Sequence, residues 1–355
     1  QYNHVPPARF RRGSRGSRAG NPDVLDALTP LAPRTAAEGP WRSGAFAALA
    51  RHDVLAGFVP ADAGGRGATE PDLVAGLAAI AERCLTTALA LSQWAAAVRI
   101  IAAGPAATRR RLPALARGDE LTTVGISQLT TSRQHAATPA LTATPDGTTW
   151  RLDGLCPWVT GADSVDTIVS GAATPDGGRL FCVVPTAAAG LAIDPPLAML
   201  ALDGSRTSAV RFHGVRAAEA FPAGPDGPRT GGLATTALAV GATRAALALV
   251  HAEAAARPAL APIAAGLGAE AEGLAARLEA AAARGIDPAD RDRLRADANG
   301  LVVRAAQAAL TAAKGAGFVR GHPAERLARE SLFFLVWSCP QSVTGAVLCE
   351  LAGLE

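Results

Sequence analysis

A chain of 355 residues with 49% apolar and 18% charged side chains is too long for one average domain, can bury a large core, and lies outside the disordered class. Much of the apolar content is alanine, the strongest helix former, so a helix-rich protein is expected. A net charge of +3 is too small to mark a polyanion-binding protein, and five arginines (Arg9, Arg11, Arg12, Arg15, Arg18) crowd into the N-terminus and leave the rest slightly acidic, so neither nucleic acid nor membrane is expected as a partner.

The first 22 residues, which begin without Met, are expected to be a disordered basic tail or a leader. Residues 23–120 carry helical spacing and predict an N-terminal α-helical domain. Leu73, Leu77, Ile80, Cys84 and Leu85 recur at steps of three and four and predict a helix over Glu70–Leu91; a second, Trp94–Ala103, stops near Gly104-Pro105. Phe58-Val59-Pro60 and Gly64-Gly65-Arg66-Gly67 form a breaker-rich loop before them. Residues 121–222 change texture: Pro145-Asp146-Gly147 separates Ala140–Ala143 from Thr149–Leu152, and Pro175-Asp176-Gly177-Gly178 separates Thr167–Ala172 from Leu180–Val184. These read as hairpins of an antiparallel β domain, with a further strand at Ala209–Phe212.

Residues 223–355 return to helix and predict a C-terminal bundle: Thr230–Ala256, Pro262–Arg284, Pro288–Ala316, His322–Trp337 and Ser342–Leu351. Asp287 and Pro288 supply a start for the third helix, and Gly315 and Gly317 its end. The fold class is therefore α+β, with a β module between two helical blocks. Joints between such units favour a cofactor site. No apolar run of about 18 residues is free of charges and breakers, so no membrane-crossing helix is expected. Five scattered cysteines without CxxC spacing, and six histidines without HxxxH or HExxH pairing, predict no disulfide framework and no metal site, and fit a reducing cytoplasm.

Within this frame lie five ordered segments. Gly57–Gly67 has the form of a "vPeeyGGxG" loop. Gly125–Ser132 occupies the place of "TEPxxGSD", with Ser127 keeping a hydroxyl, Gln128 replacing an acid, and Arg133 where a serine is usual. Trp150-x-Leu152-Asp153-Gly154-x-x-x-Trp158-Val159-Thr160-Gly161-Ala162 matches "yxlxGxKxWitnA". Leu202–Phe212 matches "GxrxSxTxxvxF". Gly315–Phe318 with His322–Glu330 matches "GxGyxxxxPxeRxxRDar". Over roughly residues 25–355 the chain resembles the acyl-CoA dehydrogenase family.

The resemblance implies a flavin-dependent oxidoreductase carrying FAD and oxidising an acyl-CoA or related small organic substrate. It places Ile126, Ser127, Ser132, Arg133, Trp158, Val159 and Thr160 against the cofactor, with the Thr160 hydroxyl at flavin N5; a hydroxyl serves both redox states because it can donate or accept. Gln93, Trp94, Trp337 and Cys339 are expected in the substrate pocket. Arg257, ahead of Pro262-Ile263, echoes an element that reaches the flavin of a neighbouring subunit, which implies a homodimer or homotetramer. Arg326, Arg329 and Glu330 are expected to form ion pairs.

One part of the pattern is replaced. The glutamate that takes the substrate α-proton falls on Ser338, the position of the catalytic residue in this chain, and the alternative location at Leu233–Thr236 holds no carboxylate. A serine hydroxyl alone cannot remove so weakly acidic a proton. Three expectations follow: a base from elsewhere, such as Asp203 or His251; an oxygenating relative that reacts with O₂ and needs no such base; or an inactive flavin-binding subunit of a hetero-oligomer.

Overall fold

The computed structural model describes residues 20–130, 139–224, 232–337 and 341–352. Short helices α1 (Pro22–Leu28), α2 (Ala32–Glu38), α3 (Ala45–Arg51) and α4 (Val54–Phe58) lead into the long helices α5 (Glu70–Arg83) and α6 (Leu85–Ala103), followed by α7 (Ala106–Arg109) and α8 (Leu112–Arg117). Then come β1 (Thr122–Gly125), the turn α9 (Ser127–Thr130), β2 (Leu141–Asp146), β3 (Thr149–Val159), β4 (Thr167–Ala173), β5 (Arg179–Pro185), β6 (Leu191–Ile193), β7 (Ser208–Ala217) and β8 (Glu219–Pro222). The chain closes with α10 (Gly232–Ala256), α11 (Ala261–Arg284), α12 (Pro288–Gly317), α13 (Pro323–Leu332) and α14 (Gln341–Ala352).

The helix expected over Glu70–Leu91 is two. Cys84 takes an extended conformation (φ −155°, ψ 102°) that ends α5 and starts α6, so the two fold back on each other while the apolar spacing runs through the break. Thr69 caps α5 and Asp287 caps α12, the latter accepting from the amides of Ala289 (2.9 Å) and Asp290 (3.0 Å). His322 caps α13 through its ring nitrogen (3.1 Å to the Ala324 amide), and the stretch expected as one helix to Trp337 ends in a 3₁₀ turn, Phe333–Leu335. Near its end α12 breaks at Lys314 (φ 55°), just before Gly315, and terminates at Gly317.

Both predicted hairpins are present, β2–β3 and β4–β5, but the sheet is mixed rather than antiparallel. Its order is β6-β7-β3-β2-β4-β5-β8; β1 lies alongside β4 in parallel register (Thr122 opposite Thr167), and β2 meets β4 in parallel at Thr142 and Ala173. Parallel pairs need long connections, so hairpin signals cannot reveal them. All four residues of β1 are buried, which removes the alternation that marks a half-exposed strand.

The sheet buries its own core, with Leu141, Leu152, Cys156, Val159, Ile168 and Phe212 among its members. A second, larger core joins the two helical segments: α5, α6 and α10 pack together around Trp94, Leu91, Ile80 and Leu238. Helices α6 and α10 are long and apolar enough by composition to cross a membrane, against the expectation that none is; 72% of the apolar window of each is buried inside the protein, as befits helices at the centre of a core.

Candidate functional site

Where the sheet meets the helical core, the structure opens a cavity of about 310 Å³. One wall is the α5–α6 pair. Glu70, Leu73, Val74 and Leu77 lie at helical steps along α5, facing Ser92, Gln93, Ala96 and Arg99 of α6. The opposite wall comes from the sheet: Val124, Ile126 and Ser127 at the end of β1, and Trp158 and Thr160 at the end of β3. The first turn of α10 (Gly232, Ala234, Thr235) borders it, and Phe333, Val336 and Trp337 close another side. Phe333 and Trp337 stack (centroids 5.2 Å apart, 18° between planes), and the Trp337 carbonyl accepts from the buried Arg295 of α12 at 2.6 Å.

Local irregularity in β3 aims the β wall. Its register against β7 shifts between Cys156 and Val159, so the buried face passes from Cys156 to Val159 in three residues instead of two. Trp158 is thereby turned outward and remains 51% exposed. The turn after β3 needs Gly161: its φ is +68°, and a side chain there would strike the Trp41 ring.

Beyond that turn the hydroxyls of Thr160 and Thr207 lie 3.3 Å apart, and Thr207 lies 2.8 Å from Ser205. Arg206 grips Asp163 through both carboxylate oxygens, with Arg42 as a second cation at 3.3 Å. Burial raises the Asp163 carboxyl, but the hydrogen bonds from Arg206 and Ser164 and the two nearby guanidinium charges outweigh it and leave the group below its ordinary value. Among the described residues lining the cavity, Glu70 is the only carboxylate and Arg99 the only cation, and they lie 3.9 Å apart in a solvent-exposed pair.

Of the residues singled out from sequence, Ile126, Ser127, Trp158, Thr160, Gln93 and Trp337 meet around this cavity. Trp94 does not line it. One step along α6 from Gln93, it points the other way, is fully buried, and meets Phe58 edge-on at 6.1 Å; Phe58 is the ring that reaches the cavity. Val159 likewise turns its side chain into the sheet core. Gln128 does not face the cavity; its amide donates to the carbonyls of Gly171 (2.7 Å) and Gly125 (3.1 Å), tying β1 to β4 as an ionised acid could not.

Arg257 is held by Glu253 (2.7 Å) and the Ala312 carbonyl, away from this chain's cavity. Asp203 accepts from the Met199 amide (2.9 Å), and His251 lies exposed on α10; neither lines the cavity, so neither is placed as its base. Ser132, Arg133, Ser338 and Cys339 lie outside the described residues. Arg329 pairs with Glu325 (2.5 Å) and donates to the Leu200 carbonyl (2.9 Å), as expected of a structural arginine, while Glu330 is buried beneath them. Sequence reasoning missed Thr207, Phe333, Glu70 and Arg99. Thr207 stood inside the quoted Leu202–Phe212 segment, and Glu70 opens the α5 stripe.

A flat heteroaromatic ring system suits this site: a half-exposed indole, a stacked aromatic pair and a wall of hydroxyls meet around a single cavity. No family model and no curated protein matches the chain. Solved structures do. KijD3 in complex with FMN and dTDP-3-amino-2,3,6-trideoxy-4-keto-3-methyl-D-glucose is 22% identical, with a TM-score of 0.72 over 95% of this chain and 94% of that one. A nitrososynthase from Micromonospora carbonacea var. africana is 23% identical (TM-score 0.75; 94% and 96% covered). A glutaryl-CoA dehydrogenase from Mycobacterium smegmatis in complex with FADH2 is 20% identical (TM-score 0.78; 95% and 94% covered). Likeness of this extent at such identities speaks to fold: the chain has the acyl-CoA dehydrogenase fold.

Proposed function

We propose that this chain, which has the acyl-CoA dehydrogenase fold, is a flavin-dependent oxidoreductase acting on a small organic substrate. The observation that carries the proposal is Trp158: a large aromatic left 51% exposed on a cavity wall, beside the paired hydroxyls of Thr160 and Thr207, where the resemblance expects the flavin edge. Trp158, Thr160, Ile126 and Ser127 would hold the ring. A bound flavin supplies a two-electron acceptor that the side chains here cannot. The α5–α6 wall offers the substrate an apolar bed, with Gln93 and Ser92 as polar contacts and the stacked Phe333–Trp337 pair closing the far side. Similar proteins were crystallised with FMN and with FADH2, which supports a flavin and leaves FAD, the form the resemblance implies, to be read from the extracted cofactor. A homodimer or homotetramer is part of the same proposal, read by light scattering.

Acyl thioester dehydrogenation needs a positioned carboxylate or equivalent base. The one described carboxylate in the cavity, Glu70, is exposed and tied to Arg99, and the Ser338–Pro340 stretch brings none. This favours a second, sharper reading: O₂-dependent oxidation of a substrate that needs no α-proton base. The same fold includes a nitrososynthase and KijD3 crystallised with FMN and a dTDP-linked amino-keto sugar, so it is not confined to acyl-CoA substrates. To test it, the purified protein is reconstituted with FAD or FMN, photoreduced without air, and mixed with aerated buffer under stopped flow. A transient absorbing species between the reduced and oxidised spectra supports oxygenation. Slow, single-phase reoxidation supports dehydrogenation with a relocated base. Failure to bind either flavin overturns the whole proposal.

A further inference from the structure

We infer that Thr207 and Ser205 make the Thr160 side of the cavity a fixed hydrogen-bond donor, biased toward oxidised flavin over reduced flavin. The inference rests on the flavin reading above. It begins from three hydroxyls in a row: Ser205 Oγ to Thr207 Oγ1 at 2.8 Å, and Thr207 Oγ1 to Thr160 Oγ1 at 3.3 Å. Thr160 and Thr207 border the cavity. Ser205 lies behind them with no exposed surface, and Thr207 is its side-chain hydrogen-bond partner among the described residues.

The direction of the chain follows from where protons can go. Were Ser205 to accept from Thr207, its own proton would sit in the interior without an acceptor, a costly arrangement. Ser205 therefore donates outward to Thr207. The row holds three protons and two internal hydrogen bonds. With the inner end closed, cooperative polarisation favours the one-directional order Ser205 to Thr207 to Thr160, so the surplus proton belongs to Thr160 and points into the cavity.

The chain is also held in place. The 3₁₀ turn carrying Ser205 is flanked by two non-glycine residues in the left-handed region, Leu202 (φ 66°) and Arg206 (φ 49°). The Arg206–Asp163 pair locks that turn, and the Gly161 amide donates to the carbonyls of Ser205 (3.0 Å) and Arg206 (3.2 Å), fastening the Thr160 corner to it. At N5, oxidised isoalloxazine offers an acceptor nitrogen and reduced isoalloxazine an N–H donor. A wall whose surplus proton faces inward matches the first and opposes the second. Thr207 is then a positioning residue that acts through Thr160.

The test measures the affinities of wild type, Thr207→Val, Thr207→Ser and the double variant Ser205→Ala/Thr207→Val for oxidised and photoreduced FAD. Without Thr207, the Thr160 hydroxyl rotates freely and accepts as readily as it donates. Thr207→Val is expected to raise the ratio of reduced- to oxidised-flavin affinity about tenfold, a midpoint-potential rise of roughly 30 mV for a two-electron couple. Thr207→Ser, which keeps the row, stays at the wild-type ratio. A flavin-free arm reads the Ser205 direction: Thr207→Val orphans the Ser205 hydroxyl, so the double variant melts higher than Thr207→Val alone. Flavin-binding wild type and Thr207→Val with the same ratio, or a double variant no more stable than the single, overturns the inference and leaves the flavin reading standing. Wild type that binds no flavin overturns both.

Discussion

Trp158 and Glu330 show opposite ways in which one residue can run against its expected environment. Trp158 is a large aromatic in the open, and its indole face is the surface on which a flat ring would stack. Trp158→Ala is expected to weaken flavin binding roughly tenfold or more, with Trp158→Phe retaining most of the affinity, as read by quenching of flavin fluorescence on titration. Glu330 is a carboxylate that is only 6% exposed. Burial raises it above its ordinary value of 4.5, and the charges of Arg326 and Arg329 pull it only part of the way back. A group with its folded-state pKa raised contributes its stability below the unfolded value and loses it as pH rises through the folded one. Wild type should therefore lose stability from about pH 4.5 upward until Glu330 ionises in the folded state, with a slope of up to about 1.4 kcal/mol per pH unit. Glu330→Gln should lack that component. Urea midpoints of the two proteins across this window, diverging or parallel, decide it.

At the scale of elements, the cavity depends on how closely α10 crosses α5. Gly241 of α10 sits against the α5 backbone: a Cβ there would come within 2.6 Å of the Ala81 Cβ and 2.9 Å of the Glu82 nitrogen, and would collide with the Ala78 carbonyl. Backbone cannot swing aside as a long side chain can. Gly241→Ala should force the helices apart at a cost of about 1–3 kcal/mol. Because Val74 and Leu77 of α5 and Ala234 and Thr235 of α10 border the cavity, the same substitution should also weaken flavin binding. Chemical denaturation and flavin titration of that variant check both effects; a neutral substitution would mean that the two helices have room to spare.

Across the whole molecule, the larger core runs through both helical segments and takes in Val124, Val169, Phe181 and Val183 of the sheet. The cavity draws walls from all three stretches of chain. A ligand bound there contacts only the assembled protein, so it must stabilise the native state as a whole. At about 100 times its dissociation constant, flavin should add about 2.7 kcal/mol and raise the thermal midpoint in one cooperative transition. A midpoint that does not move with flavin concentration, or that moves for only part of the transition, would count against a site built between these layers.

Local signals made much of this protein legible in its sequence. Turn residues marked both hairpins, Asp287-Pro288 marked the start of α12, and ordered segments drew attention to Trp158 and Thr160. Each depends on a few neighbouring residues and survives without knowledge of the rest. Tertiary structure alone decided what depends on distant parts of the chain meeting. Nothing in sequence says that Thr207 would come within hydrogen-bond reach of Thr160, 47 positions earlier, or that β1 would pair in parallel with β4. The periodicity through Cys84 marked an apolar stripe but not the backbone break that folds α6 onto α5. Gln93 and Trp94 are adjacent, and only the rotation of α6 against its neighbours sends the glutamine to the cavity and the indole to the core. Helix and strand follow from local periodicity and conformational preference, whereas the sharing of a cavity is set by packing, where burial of apolar surface outweighs any local choice.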